Sequence, residues 1–266
     1  MDRTSGICGG LSYEPGIPAW KPNGSLSAGH LHIYEARFRK RSDEDRMNRE
    51  VIEKLEEMGQ QLAAAKNAES ETLYRLLLKT AEAMAVAVET RELGKMGHHQ
   101  RVANLARAIG AELHLTREQI DGIGVAALIH DVGKISVPAE ILGKPTRLTT
   151  AEMAQVRTHA GFGYDLLKDL VFPWPVARIV LEHHERMDGS GYPNGLTGER
   201  LLKESRILVV ADVVDAISCP RSYRPARGIE VALYDIKGYR GIRYAPDVVD
   251  ACLMLFNEKG YKLTDD

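Results

Sequence analysis

AALIHDVGK, residues 126–134, runs an apolar stretch into an adjacent histidine and aspartate, His130 and Asp131. Neighbours on a helix point about 100° apart. An imidazole and a carboxylate at consecutive positions can therefore grip one metal ion from two sides, while the second carboxylate oxygen reaches another. Alone, the pair is far more often a hydrogen-bonded helix terminus than a metal site. Four further stretches tilt the reading toward metal: His98 in GHHQRVA, His159 in VRTHAGFG, His183 and His184 in LEHHERMDGSGYPNG, and Asp212 in ILVVADVVDA. Taken singly, His183 and His184 suit a solvated helix end, and His159 a satisfied core histidine. Asp212 does not reduce so easily, because a carboxylate amid that many apolar residues is costly to bury without a metal or a cation.

The ordered set, a histidine, HDVGK, a lone histidine, HHERMDGSGYPNGL, then ADVVDA followed by RSYR, resembles the HD-GYP family of the HD phosphohydrolase superfamily, bacterial cyclic di-GMP phosphodiesterases. The likeness runs from about residue 71 to 261. It implies an all-α HD-superfamily helical bundle. It also implies one metal held by His98, His130, Asp131 and Asp212 and a second held by His159, His183 and His184, with Asp131 bridging. Arg221 and Arg224 in RSYR match positions that hold the ligand's phosphate or guanine edge, which arginine's planar fork suits. Tyr192 is expected to stack or hydrogen-bond near the site. Lys134, three residues past Asp131, is within reach of a substrate phosphate, and a compact ammonium suits one. Asp131 and Lys134 are thus the catalytic candidates.

The sequence departs from the family pattern at several points. Gly94 stands where some members place a third-metal glutamate four residues before the first ligand histidine, so two metals are favoured. His99 replaces a usual serine and, with His114, is assigned a surface or structural place. Tyr244-Ala245-Pro246 and Cys219-Pro220 also depart from the usual residues, and none of these is a ligand position.

Composition bounds the remaining possibilities. With 266 residues and 44% hydrophobic content the chain can bury a sizeable core, and a low aromatic share with little strict alternation favours helices. A net charge of −2, with both signs interspersed, offers no face for a nucleic-acid polymer. Three widely spaced cysteines, Cys8, Cys219 and Cys252, indicate neither a disulfide framework nor a zinc ribbon. No apolar run approaches the ~20 residues of a membrane span, and the basic-then-apolar layout of a signal peptide is missing. A cytoplasmic protein without membrane attachment is expected.

In chain order, residues 1–41 are expected to be a flexible tail or the remnant of an upstream domain. Residues 42–70 form a linker helix whose Val51, Leu55, Met58 and Leu62 are spaced four, three, four. That stripe is either the inner face of one amphipathic helix or a short coiled coil giving a homodimer. Residues 71–261 make the catalytic domain. Leu73, Leu76, Leu77, Ala81, Met84 and Val88 continue the helical period, and a helix follows from His98 to Leu113. Thr116 with Gln119, and Thr149 with Glu152, have capping-box spacing. The first predicts a helix from Arg117 to the His-Asp pair, ended by Gly133. The second predicts a helix carrying Met153, Val156 and His159. Pro175 suits the first turn of a helix leading to His183 and His184, DGSGYPNGLTG cannot be helix, and ILVVADVV is read as helix. Two more helices follow, over 229–236 and 246–257.

Imidazoles and carboxylates without thiolates suit two divalent ions of borderline character, iron or manganese. A metal pair can activate water, neutralise a phosphate oxygen and stabilise the leaving alkoxide. Together with the family resemblance, which implies the substrate, this makes the expected activity hydrolysis of cyclic di-GMP to pGpG, with further cleavage to GMP left open. The alternatives are an adaptor that binds cyclic di-GMP or a partner protein without turnover, or a phosphohydrolase for another cyclic dinucleotide.

Overall fold

The computed structural model describes residues 46, 53–58, 60–61, 68–69, 71–92, 96–220 and 225–264. The chain divides into two compact units, Met1–Ala68 and Glu69–Asp266. In the first unit every described residue is helical, and Leu55 and Met58 are exposed. The tail expected over 1–41, along with Val51 and Leu62 of the linker stripe, lies outside the described residues.

The second unit is all-α. Among its described residues strand pairing is limited to isolated bridges, Asp188 with Thr197 and Arg240 with Tyr244. Helix α1 covers residues 71–89 and buries Ala81, Ala85 and Val88, while Leu73 and Leu76 of the predicted stripe are exposed. Helix α2 spans His98–Glu112 and buries Val102, Leu105 and Ile109. Helix α3, Arg117–Ile129, opens on the predicted capping box: the Thr116 hydroxyl accepts from the Gln119 amide, and the Gln119 side chain accepts from the Thr116 amide. A 3-10 turn, Val132–Ser136, and the short α4, Ala139–Leu142, lead to α5, Thr150–Arg157, which has the second capping box. Then come α6, His159–Leu167; α7, Val176–Glu182; α8, Lys203–Ser218; α9, Ile229–Gly238; and α10, Pro246–Asn257.

Helices α2, α3, α7 and α8 form the centre, with α9 and α10 packed on α8 and α6 packed on α7 and the 3-10 turn. The run that could have been a strand is helical because α8 is enclosed. It touches α2, α3, α7, α9 and α10, so Ile207, Leu208, Val210, Ala211 and Val214 are all buried and no polar face is needed. Each of these isoleucine, leucine and valine side chains contributes about 1.5–3 kcal/mol on burial.

Two helix ends differ from the sequence reading. Gly133 does not cap α3. The helix ends at Ile129 with His130 as its cap, and Gly133 sits inside the 3-10 turn. A Cβ there would lie 1.9 Å from the His159 carbonyl oxygen, so glycine permits the close approach of the turn to α6. His159 likewise does not continue α5. The chain turns at Thr158, and His159 opens α6. That turn brings the imidazole back over the His-Asp pair.

Candidate metal centre

His130 and Asp131 leave the buried end of α3, and four other elements converge on them. Asp131 lies between two groups of imidazoles, one facing each oxygen. Its Oδ1 is 3.4 Å from His159 Nε2 and 3.9 Å from His183 Nε2. Its Oδ2 is 3.5 Å from His130 Nε2, 3.8 Å from His99 Nε2 and 4.0 Å from His98 Nε2. His98 Nε2 is in turn 3.5 Å from Asp212 Oδ1. Ligand atoms close enough to share an ion occur in the sets Asp131, His159, His183, His184; His98, His130, Asp212; and His99, His130, Asp131.

The orientation of each ring follows from what holds its Nδ1. His130, His159 and His183 each donate Nδ1–H to the carbonyl three residues earlier, those of Ala127, Val156 and Val180, the first two at 2.6 and 2.7 Å. Those carbonyls belong to last turns, where helix acceptors are left over. His98 uses a carboxylate instead: Nδ1 lies 2.6 Å from Asp215 Oδ2, and Asp215 Oδ1 accepts from Arg101 Nε at 2.6 Å. Carbonyls and ionised carboxylates only accept, so in each of these rings the proton is on Nδ1 and the Nε2 lone pair faces inward. His159 Nε2 and His183 Nε2 stand 3.1 Å apart, close to the ~3 Å separation of two nitrogens side by side around an ion at ~2.1 Å.

Burial keeps His159, His183 and His184 neutral, as ligation requires. It lowers His159 to about 4 and holds His183 and His184 well below the ordinary imidazole value. Neutral nitrogens and carboxylate oxygens converging in a buried space, with lone pairs facing lone pairs, fit a divalent cation. They fit nothing apolar.

Lys134 is buried. Its ammonium donates to Asp131 Oδ2 at 2.6 Å and lies 3.0 Å from Glu92 Oε1. It thus fixes the carboxylate between the two imidazole groups and shares a cavity of about 360 Å³ with Glu92, Lys144 and Arg147. Arg91 donates to the carbonyls of Lys134, Ile135 and Val137, which ties α1 to the turn after the His-Asp pair. Tyr192 lies against His184, with ring centroids 4.7 Å apart and planes 30° apart, and the Arg157 guanidinium covers its ring at 5.1 Å. Gly191 is required beside it, since a Cβ would come within 2.4 Å of the Glu185 Cα. Glu185 is buried and accepts from the amides of Asn194 and Leu196, closing the loop. Arg221 and Arg224 lie outside the described residues.

The sequence reading missed three carboxylates and one histidine. Asp215, Glu89 and Glu185 were not singled out, and His99, assigned to a surface or structural place, is 1% exposed. Its Nδ1 is 2.7 Å from Glu89 Oε1, while its Nε2 is buried without a hydrogen-bond partner, a situation costing about 1–3 kcal/mol if nothing fills it. The argument that marked Asp212 applied with more force to Asp215, three residues later in the same apolar run and fully buried.

The HD domain family model matches residues 40–248. The chain belongs to this family, in its HD-GYP branch. It is 41% identical over 187 residues to the cyclic di-GMP phosphodiesterase response regulator RpfG of Xanthomonas campestris pv. campestris, covering 70% of this chain and 47% of that protein. It is 35% identical over 184 residues to a cyclic di-GMP phosphodiesterase of Thermotoga maritima, covering 68% and 50%. The chain thus spans about half the length of these HD-GYP relatives. A crystal structure of a cyclic GMP-AMP specific phosphodiesterase of Vibrio cholerae shares the fold, with a TM-score of 0.52 and 19% identity over 69% of this chain and 49% of that one. Among the described residues no helix is long and apolar enough to cross a membrane.

Proposed function

We propose that the chain is a metal-dependent phosphodiesterase that hydrolyses cyclic di-GMP to linear pGpG, and that its centre holds two divalent ions, iron or manganese. The observation carrying this reading is the placement of Asp131, whose two oxygens face two separate groups of inward-turned imidazoles. His98, His130, Asp131 and Asp212 would hold one ion, and Asp131, His159, His183 and His184 the other. The choice of metal follows from the donors: no cysteine occurs in the ligand sets, and Cys252 is buried in the core. An ion pair there would supply water activation and charge neutralisation at the phosphodiester.

The chain's own residues bind and orient. Lys134, held between Asp131 and Glu92, pins the Asp131 carboxylate at the edge of the cavity, where its ammonium would meet an entering phosphate. Lys144 and Arg147 add cations on the same wall, with Met153 and Val156 offering apolar surface to a base. Tyr192, stacked on His184 and covered by Arg157, stands beside the centre and brings that guanidinium with it. Arg221 and Arg224 would clamp phosphate or guanine. The names of the curated relatives favour cyclic di-GMP as the substrate.

The test is anaerobic purification with manganese or iron(II), incubation with cyclic di-GMP and with 3'3'-cGAMP, and chromatographic separation of the products. Accumulation of pGpG, faster than opening of the mixed dinucleotide, is expected. Tight binding of cyclic di-GMP by fully loaded protein without any product would replace the enzyme reading with an adaptor.

A further inference from the structure

His99 has no assigned role, yet it is built as a ligand. It is the second residue of α2, 1% exposed, and its ring is clamped from behind. Glu89 of α1 takes the His99 backbone amide at 2.8 Å, the Gly97 amide at 3.0 Å and the His99 Nδ1–H at 2.7 Å. The proton is therefore on Nδ1, and the bare Nε2 lone pair points at the Asp131 side of the centre. No hydrogen-bond donor reaches it. Its neighbours there are Asp131 Oδ2 at 3.8 Å and the His130 ring, with centroids 5.0 Å apart, and both offer lone pairs rather than protons.

We propose that His99 Nε2 is a further protein ligand of the ion held by His98, His130, Asp131 and Asp212. The proposal rests on the metal centre described above. The set His99, His130, Asp131 and the set His98, His130, Asp212 share His130, so if both hold metal they hold the same ion. Both need His130, and its Nδ1 is committed to the Ala127 carbonyl, so it brings one free nitrogen. One lone pair serves one ion, so the two sets describe the same ion. Three imidazoles and two carboxylates then surround it, leaving about one position of an octahedral shell open. The other ion has His159, His183, His184 and Asp131, and is the more open of the two. Water and substrate would then exchange chiefly at the ion beside Tyr192, and the ion beside His99 would be the retained, orienting one. The carboxylate behind His99 serves this role, because a Glu–His–metal chain fixes the tautomer and raises ligand basicity.

The experiment uses the full chain loaded with Co²⁺. Metal per chain, stepwise affinity by calorimetric titration, and the cobalt absorption spectrum are compared for the wild type, His99→Ser and His99→Gln. Each histidine bound to cobalt also gives a shifted Nδ1–H proton resonance. The wild type should show one for each of His98, His99, His130, His159, His183 and His184. Both variants should lose one resonance, bind one of the two ions about tenfold to a hundredfold more weakly, and change the spectrum of that ion alone. A wild type that binds both ions but lacks the His99 resonance would overturn the proposal, and it requires no variant to fold. Variants with unchanged affinities and spectra would do the same, leaving His99 a packing residue. A wild type that takes up no cobalt at all would instead sink the metal-centre reading on which the proposal stands.

Discussion

Asp215→Asn isolates a residue that touches neither proposed ion nor substrate. In the folded chain Asp215 is fully buried and accepts from both His98 Nδ1 and Arg101 Nε at 2.6 Å. Asparagine keeps the shape but has one oxygen and one amide nitrogen. If the oxygen stays with Arg101, the NH₂ faces His98 and favours the tautomer with its proton on Nε2, which blocks ligation. If the oxygen turns to His98, the NH₂ faces the guanidinium of Arg101, whose side chain is only 12% exposed. Either way one charge-assisted hydrogen bond, worth about 1.5–3 kcal/mol, is lost. Arg101 also donates to the Met96 carbonyl, so the loss stays near the lower figure. The expected result is an apoprotein about 2 kcal/mol less stable, and an affinity for the ion at His98 reduced about tenfold to a hundredfold. The ion at His159 should be unaffected. Urea titration of the chelated protein and calorimetric titration with Mn²⁺ read the two effects separately. A variant with wild-type affinity for both ions would refute the argument that Asp215 sets the His98 tautomer.

Gly133→Ala should destabilise by about 1–3 kcal/mol through overpacking and weaken the ion at His159, because the new methyl group must displace the His159 carbonyl; a wild-type melting temperature would refute it. Chelated protein should lose stability as pH falls from about 6.5 to about 4, because the unfolded chain protonates His159 in that window and the fold does not. The difference reaches about 3 kcal/mol below pH 4 and vanishes above 6.5, and urea titrations in which His159→Asn shows the same acid slope as wild type would refute it. Replacing Arg221 and Arg224 by alanine should weaken cyclic di-GMP binding by about 1.5–3 kcal/mol per lost contact at constant metal content, and an unchanged Kd would put the ligand elsewhere. If the linker stripe is a dimer seam, glutamates at the exposed Leu55 and Met58 should convert a dimer to a folded monomer in light scattering; a wild type already monomeric at micromolar concentration excludes the seam.

What could be read from the sequence was mostly local in the chain. The capping boxes at Thr116 and Thr149 are three-residue patterns, and both formed. The proposed ligands were readable for a different reason: their residue types are expensive in apolar surroundings, so histidines and aspartates at the ends of apolar runs stood out one by one. The partners that orient them did not. Asp215 meets His98 across a separation of 117 residues, and Glu89 looked like any acid near a helix end. His99 was hidden because the family pattern has serine there and gives the ligand role to His98. Both rings face the site here, with α1 supplying the acceptor for one and α8 for the other. The break at Thr158 was hidden too, because no residue there opposes helix. It is imposed by packing of α6 against the turn that contains Gly133.

Helix polarity explains why buried acids were needed at all. His130, His159 and His183 stand where α3, α5 and α7 end, and helix ends leave carbonyls unpaired. Donating Nδ1–H to the carbonyl three residues back satisfies that group and aims Nε2 at the centre in a single contact. His98 and His99 stand at the start of α2, where the leftover backbone groups are donors. Their Nδ1–H groups are taken instead by acceptors from other helices, Asp215 of α8 and Glu89 of α1. In a dry interior beside Arg101 a carboxylate is suited to that task. The two sides of Asp131 therefore differ in kind, with neutral carbonyls behind His159 and His183 on one side and full negative charges behind two of the three rings on the other, His98 and His99, while His130 keeps a carbonyl. A negative charge behind an imidazole strengthens its lone pair, so the ion held at His98 should load first and leave last.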